Sequence, residues 1–193
     1  MAPPQKHRVP IIEAALRLFR QNGYAATGVN DIVDHSGAPK GSLYYHFPQG
    51  KPSIAVAAIE EAGRRAAATL SELADTAASP GELVKAHAAL LGKWMAKSNF
   101  RDGCPMTTVL LELAPQDRAI SEAGRNAYAA RNVVLAEALT RSGFAPSRAH
   151  SLALLATSAL QGALVQSRVE RSAAPLQRAA EEVARYFESE AAH

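Results

Sequence analysis

The chain has 193 residues, 48% hydrophobic and 20% charged, which bounds it to one sizeable core or two small ones and excludes a disordered polymer. Its formal net charge is +3, and residues 1–51 carry all of that excess as six basic against three acidic side chains. A lone cysteine, Cys104, precludes an intramolecular disulfide, no apolar run is long enough for a bilayer, and the opening MAPPQKHRVP lacks the apolar stretch of a leader, so the expectation is a cytoplasmic protein with no membrane contact.

Helical periodicity runs throughout, with no alternating strand pattern. The first helix is expected over 9–22, with Ile12, Ala15, Leu16 and Phe19 as its apolar stripe and Gly23 as its stop. The second spans 29–36, with Ile32 and Val33 inward and Thr27 as a candidate N-cap. Gly37 turns the chain into a two-turn helix opened by Pro39, where Leu43 and Phe47 lie four apart and face inward. Six further helices follow, over 52–77, 82–98, 105–113, 117–142, 147–170 and 175–189, punctuated by Ser79-Pro80-Gly81, Gly103-Cys104-Pro105, Pro115 and Gly143. The fold class is all-α, with a head at 1–51 and a bundle at 52–193.

Two short helices joined by a glycine-containing turn are the signature of a helix-turn-helix. A helix in the major groove reads base edges and grips phosphates with donors on its exposed face. On the third helix, Lys40 and Ser42 are placed for base edges, and Tyr44, Tyr45 and His46 for phosphates or thymine methyls. Lys51 opens the next helix, where its charge can meet a phosphate. The same pattern also fits an ordinary three-helix corner with amphipathic tyrosines at its edge.

The stretch AALRLFRQNGYAATGVNDIVDHSGAPKGSLYYHFPQGK resembles the DNA-binding head of the TetR family of bacterial transcriptional regulators. The likeness rests on Phe19…Gly23-Tyr24, on Asp31-Ile32-Val33 and on Lys40-Gly41-Ser42-Leu43-Tyr44-Tyr45-His46-Phe47. It implies a double-stranded DNA operator as partner, and it adds Thr27, Gly28 and Asn30 at the start of the second helix, together with Gly41, to the DNA-contacting set. Gly28 stands where the family often has a hydroxyl residue. Farther along, GCPMTTVLLELAP at 103–115 and SALQGALVQSRVERSAAPL at 158–176 are similar to the LmrA/YxaF-like branch. That likeness implies a homodimer which binds a small hydrophobic, aromatic effector and then leaves its operator.

For the effector, Trp94, Phe100, Met106, Leu110 and Tyr128 supply apolar lining and Thr107, Asn126 and Asn132 polar anchors; the apolar ones equally suit a plain core. For the dimer, Leu152, Leu155, Ala159, Gly162 and Ala163 form one face, and Leu176, Ala180, Val183 and Phe187 another. Both faces can also pack within one chain. Cys104 beside Arg101 and Pro105 suits either an inert thiol or a redox sensor. His7, His35, His46, His87, His150 and His193 are scattered, so no metal, cofactor or catalytic centre is expected, and Glu60-Glu61 before Arg64-Arg65 reads as surface pairing. Two other readings stay open: a DNA-binding module controlled by a protein partner, and an all-helical enzyme with a vestigial head.

Overall fold

The computed structural model describes residues 5–191; the MAPP of the leader argument and His193 of the metal argument lie outside them. Among the described residues there are nine α-helices and no strand: α1 (Arg8–Asn22), α2 (Val29–Ser36), α3 (Lys40–His46), α4 (Lys51–Ala74), α5 (Pro80–Lys97), α6 (Pro105–Leu113), α7 (Arg118–Arg141), α8 (Pro146–Glu170) and α9 (Ala174–Ala191). A 3-10 turn, Gln5–His7, precedes α1. Helices α4, α5 and α8 begin one or two residues earlier than expected, because a proline in a first turn gives up an N–H that has no intrahelical partner there.

The chain forms two compact units whose boundaries fall inside α4, just before α6 and inside α7. The first holds residues 5–64 and 104–127. Its core joins Ile11, Phe19, Ile32, Leu43 and Phe47 of the head to Ile54 and Ile59 of α4, Met106 and Val109 of α6 and Ile120 of α7. The boundary expected at 51/52 is therefore not where this unit ends, because α6 and the first half of α7 bury their apolar faces against the head. At Gly63 in α4 a Cβ would stand 2.9 Å from the Ala127 Cα, so only glycine permits that helix crossing.

The second unit holds residues 65–103 and 128–191. Its buried apolar side chains include Leu83, Val84 and Met95 of α5, Leu135 and Leu139 of α7, Leu152 and Leu160 of α8, and Leu176, Val183 and Phe187 of α9. Ser79 caps α5 by accepting the Glu82 N–H at 3.2 Å. Asn99 and Phe100, past the end of α5, both take positive φ, 54° and 59°, a conformation disfavoured for side chains of that bulk. Asn99 there accepts from the Arg171 guanidinium at 3.0 Å. Among the described residues no helix is long and apolar enough to cross a membrane, and no cluster of His, Cys, Asp and Glu could hold a metal ion.

Candidate nucleic-acid interface

The reading head is built by two turns. Gly37 ends α2 in the left-handed region (φ 63°), its N–H bonded to the Val33 carbonyl at 3.1 Å. The Ser36 hydroxyl then accepts the Ala38 N–H at 3.1 Å, and Pro39 leads into α3. Seven residues are too few to hold a helix alone. Helix α3 is pinned from below, where Leu43 and Phe47 are buried as expected.

That anchoring leaves Lys40, Gly41, Tyr44 and Tyr45 exposed, the two tyrosines at 47% and 51%. Together they set two adjacent aromatic rings beside a lysine on one exposed face. Ser42 is half-buried. His46 lies edge-on between Tyr45 and Phe47, with ring centroids 5.1 and 6.5 Å away, and its Nε2 is buried. That nitrogen does not reach a phosphate in this conformation. Gly28 and Asn30 are exposed at the start of α2. The Gly28 N–H is held by Asp31 Oδ2 at 2.8 Å, and a Cβ at Gly28 would press on that carboxylate.

Two residues expected to contact DNA bond through their side chains to the protein itself. Thr27 is 1% exposed and donates its hydroxyl to the Gly23 carbonyl at 2.8 Å, so it neither caps α2, whose N-cap is Gly28, nor reaches a phosphate. Lys51 turns back onto the α1–α2 loop, donating to the carbonyls of Tyr24 and Thr27 at 2.9 Å each, 4.1 Å from the Tyr24 ring centre. Burial lowers its pKa, and the Glu112 carboxylate works against that shift. Burial likewise raises the Tyr24 pKa, helped by Asp117 and Glu112.

Sequence reasoning missed the other half of this arrangement. Glu112 of α6 accepts the Tyr24 N–H at 2.7 Å on one oxygen and the Ala25 N–H at 2.6 Å on the other. Thr108, one turn earlier, donates to the Phe19 carbonyl at 3.1 Å. The available signal was composition: Glu112 is the single charged residue in PMTTVLLEL. Arg8, one of the head's basic side chains expected to meet phosphates, has its guanidinium 5.7 Å from the Phe47 ring centre.

The expected effector residues divide between the two units. Met106 is buried in the core of the first, Leu110 packs against that core with its Cδ1 3.0 Å from where a Gly124 Cβ would stand, and Thr107 is half-buried. Asn126 is exposed. In the second unit Trp94 is 47% exposed, Phe100 and Tyr128 are half-buried, and Asn132 accepts the Thr157 hydroxyl at 2.7 Å. Cys104 sits at the start of α6, partly buried on the head core. The second unit also encloses two basic side chains, His87 and Arg131, each 5% exposed. Burial pushes the His87 imidazole down to about 4, with the Arg131 charge adding to the effect. Of the surface pairs, Arg64 meets Glu61 through two bonds of 2.8 and 2.7 Å.

The expected dimer face separates into two sets. Leu152, Ala163, Leu176, Ala180, Val183 and Phe187 are buried in the chain's own core. Leu155 and Gly162 face outward and Ala159 is half-buried, and the outward side of α8 also carries Leu154, Val165 and Val169. Between α8 and α9 an open groove of about 440 Å³ is lined by Ser158, Ala159, Gly162, Gln166, Arg178 and Glu182, among others.

Comparison with known proteins agrees with this anatomy. A family model described as bacterial regulatory proteins, tetR family, matches residues 11–58, and one described as the C-terminal domain of LmrA/YxaF-like transcriptional regulators matches residues 80–182. An uncharacterised HTH-type transcriptional regulator of Mycobacterium tuberculosis is 36% identical over 171 residues, 86% of each chain. The HTH-type transcriptional regulator LmrA of Bacillus subtilis is 31% identical over 169 residues, 88% of this chain and 90% of its own. The crystal structure of a TetR regulator from Legionella pneumophila shares the fold with a TM-score of 0.79 at 21% identity, covering 95% of this chain and 96% of the other. These families and relatives are transcriptional regulators rather than enzymes. A buried apolar face that presents α3 to solvent, joined to a C-terminal segment of one branch, places this chain in the TetR family of DNA-binding helix-turn-helix transcriptional regulators, among its LmrA/YxaF-like members.

Proposed function

We propose that the protein is a homodimeric repressor which holds a palindromic operator and releases it on binding a small, planar, hydrophobic effector. The observation that carries the reading is the split character of α3, with Leu43 and Phe47 buried while Lys40, Tyr44 and Tyr45 stand in water. One such helix reads a half-site; two, about 34–36 Å apart, read successive major grooves. The outward stripe of Leu154, Leu155, Val165 and Val169 on α8 supports a second copy of the chain as its cover. An effector favouring a different spacing of the heads would withdraw the dimer from DNA by shifting its population. The second half of the chain, matched at 80–182, is where that ligand is expected.

Footprinting of the DNA flanking the protein's own gene should reveal an inverted repeat, protected by the protein and released by members of a flavonoid panel. Trp94 is the single tryptophan, so its emission should change with the midpoint of DNA release. Protection insensitive to every compound but relieved by a protein would replace effector control with partner control. An unprotected region would remove the operator reading.

A further inference from the structure

The loop between α1 and α2 is held by side chains from two other helices. Its backbone groups can be accounted for almost one by one. The Gly23 N–H goes to Phe19, the Gly23 carbonyl to the Thr27 hydroxyl, and the Gly28 N–H to Asp31. The Tyr24 and Ala25 N–H groups point at Glu112, the Thr27 N–H goes to the Tyr24 carbonyl, and Lys51 donates to that same carbonyl and to the Thr27 carbonyl. A carboxylate and an ammonium thus grip the loop, each satisfying two backbone groups. Charge-assisted bonds of this length are about twice as strong as neutral ones and lose that strength with small displacements. Glu112 lies 88 residues beyond Tyr24 and belongs to no part of the helix-turn-helix. Its helix is fastened to the head at further points, by buried Met106 and Val109 and by Thr108 on the last turn of α1.

We infer that Glu112 is a positioning residue for DNA reading: its carboxylate sets the α1–α2 loop, and with it the start of α2 at Gly28 and Asn30, so that operator affinity depends on this one side chain. The inference rests on the head's role in binding DNA. Loss of that carboxylate leaves two N–H groups without their acceptor and Lys51 without its countercharge, and the loop must rearrange to hydrate them. DNA then meets a head whose α2 has lost one fixed end, while α3, pinned by Leu43 and Phe47, keeps its own anchorage.

The test uses the full chain, a footprinted operator and an unrelated duplex at one salt concentration. E112A and E112Q should both weaken operator binding, E112A by a factor within about 5–150, the span of typical coupled sites. Binding to the unrelated duplex, governed by charge, should change far less. E122Q, an exposed carboxylate of α7, should leave both unchanged. Wild-type operator affinity in folded E112A and E112Q overturns the inference, as does an equal loss on both duplexes. Amide exchange covers variants that fail to fold. In the wild type, coupling is reciprocal, so operator binding must slow exchange of the Tyr24 and Ala25 amides; unchanged exchange overturns the inference without any substitution. A wild type that binds no DNA sinks the DNA reading together with it, whereas the outcomes above leave that reading intact.

Discussion

Lys40 opens the short helix α3 and Lys51 the helix after it, and the two carry the same charge in opposite surroundings. Lys40 is exposed; Lys51 donates to the carbonyls of Tyr24 and Thr27. A phosphate-contacting lysine contributes about one unit to the salt slope of binding, whereas a lysine facing protein carbonyls contributes none directly. Lys40→Ala should therefore flatten the dependence of operator affinity on salt by about one unit. Lys51→Ala should lower thermal stability and affinity while leaving the slope alone, because it removes the charged donor of the Thr27 carbonyl and leaves the Tyr24 carbonyl with the Thr27 N–H alone. Parallel salt titrations of the two variants distinguish these outcomes. His87 makes a second prediction. Its folded pKa, about 4, lies below the ordinary 6.5, so the unfolded chain binds more protons between those values and stability rises with pH across that window. The protein should be fully stable above about pH 6.5 and lose about 3 kcal/mol as pH falls towards 4, levelling off below. Urea melts over pH 4–7 measure the slope, and His87→Leu should remove it. At this scale the sequence was only partly legible. Leu43 and Phe47 follow from helical spacing, but the directions of the Thr27 hydroxyl and the Lys51 ammonium depend on carbonyls, and Glu112 acts on amides brought to it only by folding.

Helix α8 shows what periodicity can and cannot say about an element. Apolar residues occur around most of its circumference, so no single stripe marks the inside. The fold turns Leu152, Ala156, Leu160 and Ala163 inward and leaves Leu154, Leu155, Val165 and Val169 in water. The expectation mixed the two sets because both repeat at intervals of three and four. Gly162 separates packing within the chain from the proposed dimer packing, since a Cβ there would meet no atom within 4 Å. Gly162→Trp should leave the unfolding midpoint of the isolated chain near the wild-type value while sedimentation shows monomers in place of dimers. Helix boundaries, by contrast, were readable to within a few residues, because Gly23, Gly37, Gly143 and the prolines at 80, 105 and 146 impose local constraints that no tertiary contact reverses.

Across the whole molecule, charge and compactness divide the chain differently. All of the net positive charge lies in residues 1–51, as an electrostatic footprint for DNA requires, but the compact unit around it also takes in residues 104–127. The expected border followed charge and motif; the observed one follows burial, since Met106, Val109 and Ile120 find their apolar partners in the head. Sequence shows that these residues are apolar without showing which helices they join. One consequence concerns Gly63, where α4 passes Ala127 too closely for any side chain. In an open helix, alanine would gain about 0.8–1 kcal/mol over glycine, but overpacking a fitted contact costs about 1–3 kcal/mol, so Gly63→Ala should destabilise, as denaturant unfolding would measure. Every amino acid reachable from a glycine codon by one base change carries a Cβ. In a random screen for mutants that derepress a reporter gene, position 63 should therefore recur beside Lys40 and Tyr44. A geneticist mapping those hits without a structure would credit a residue that never approaches the operator with recognising it.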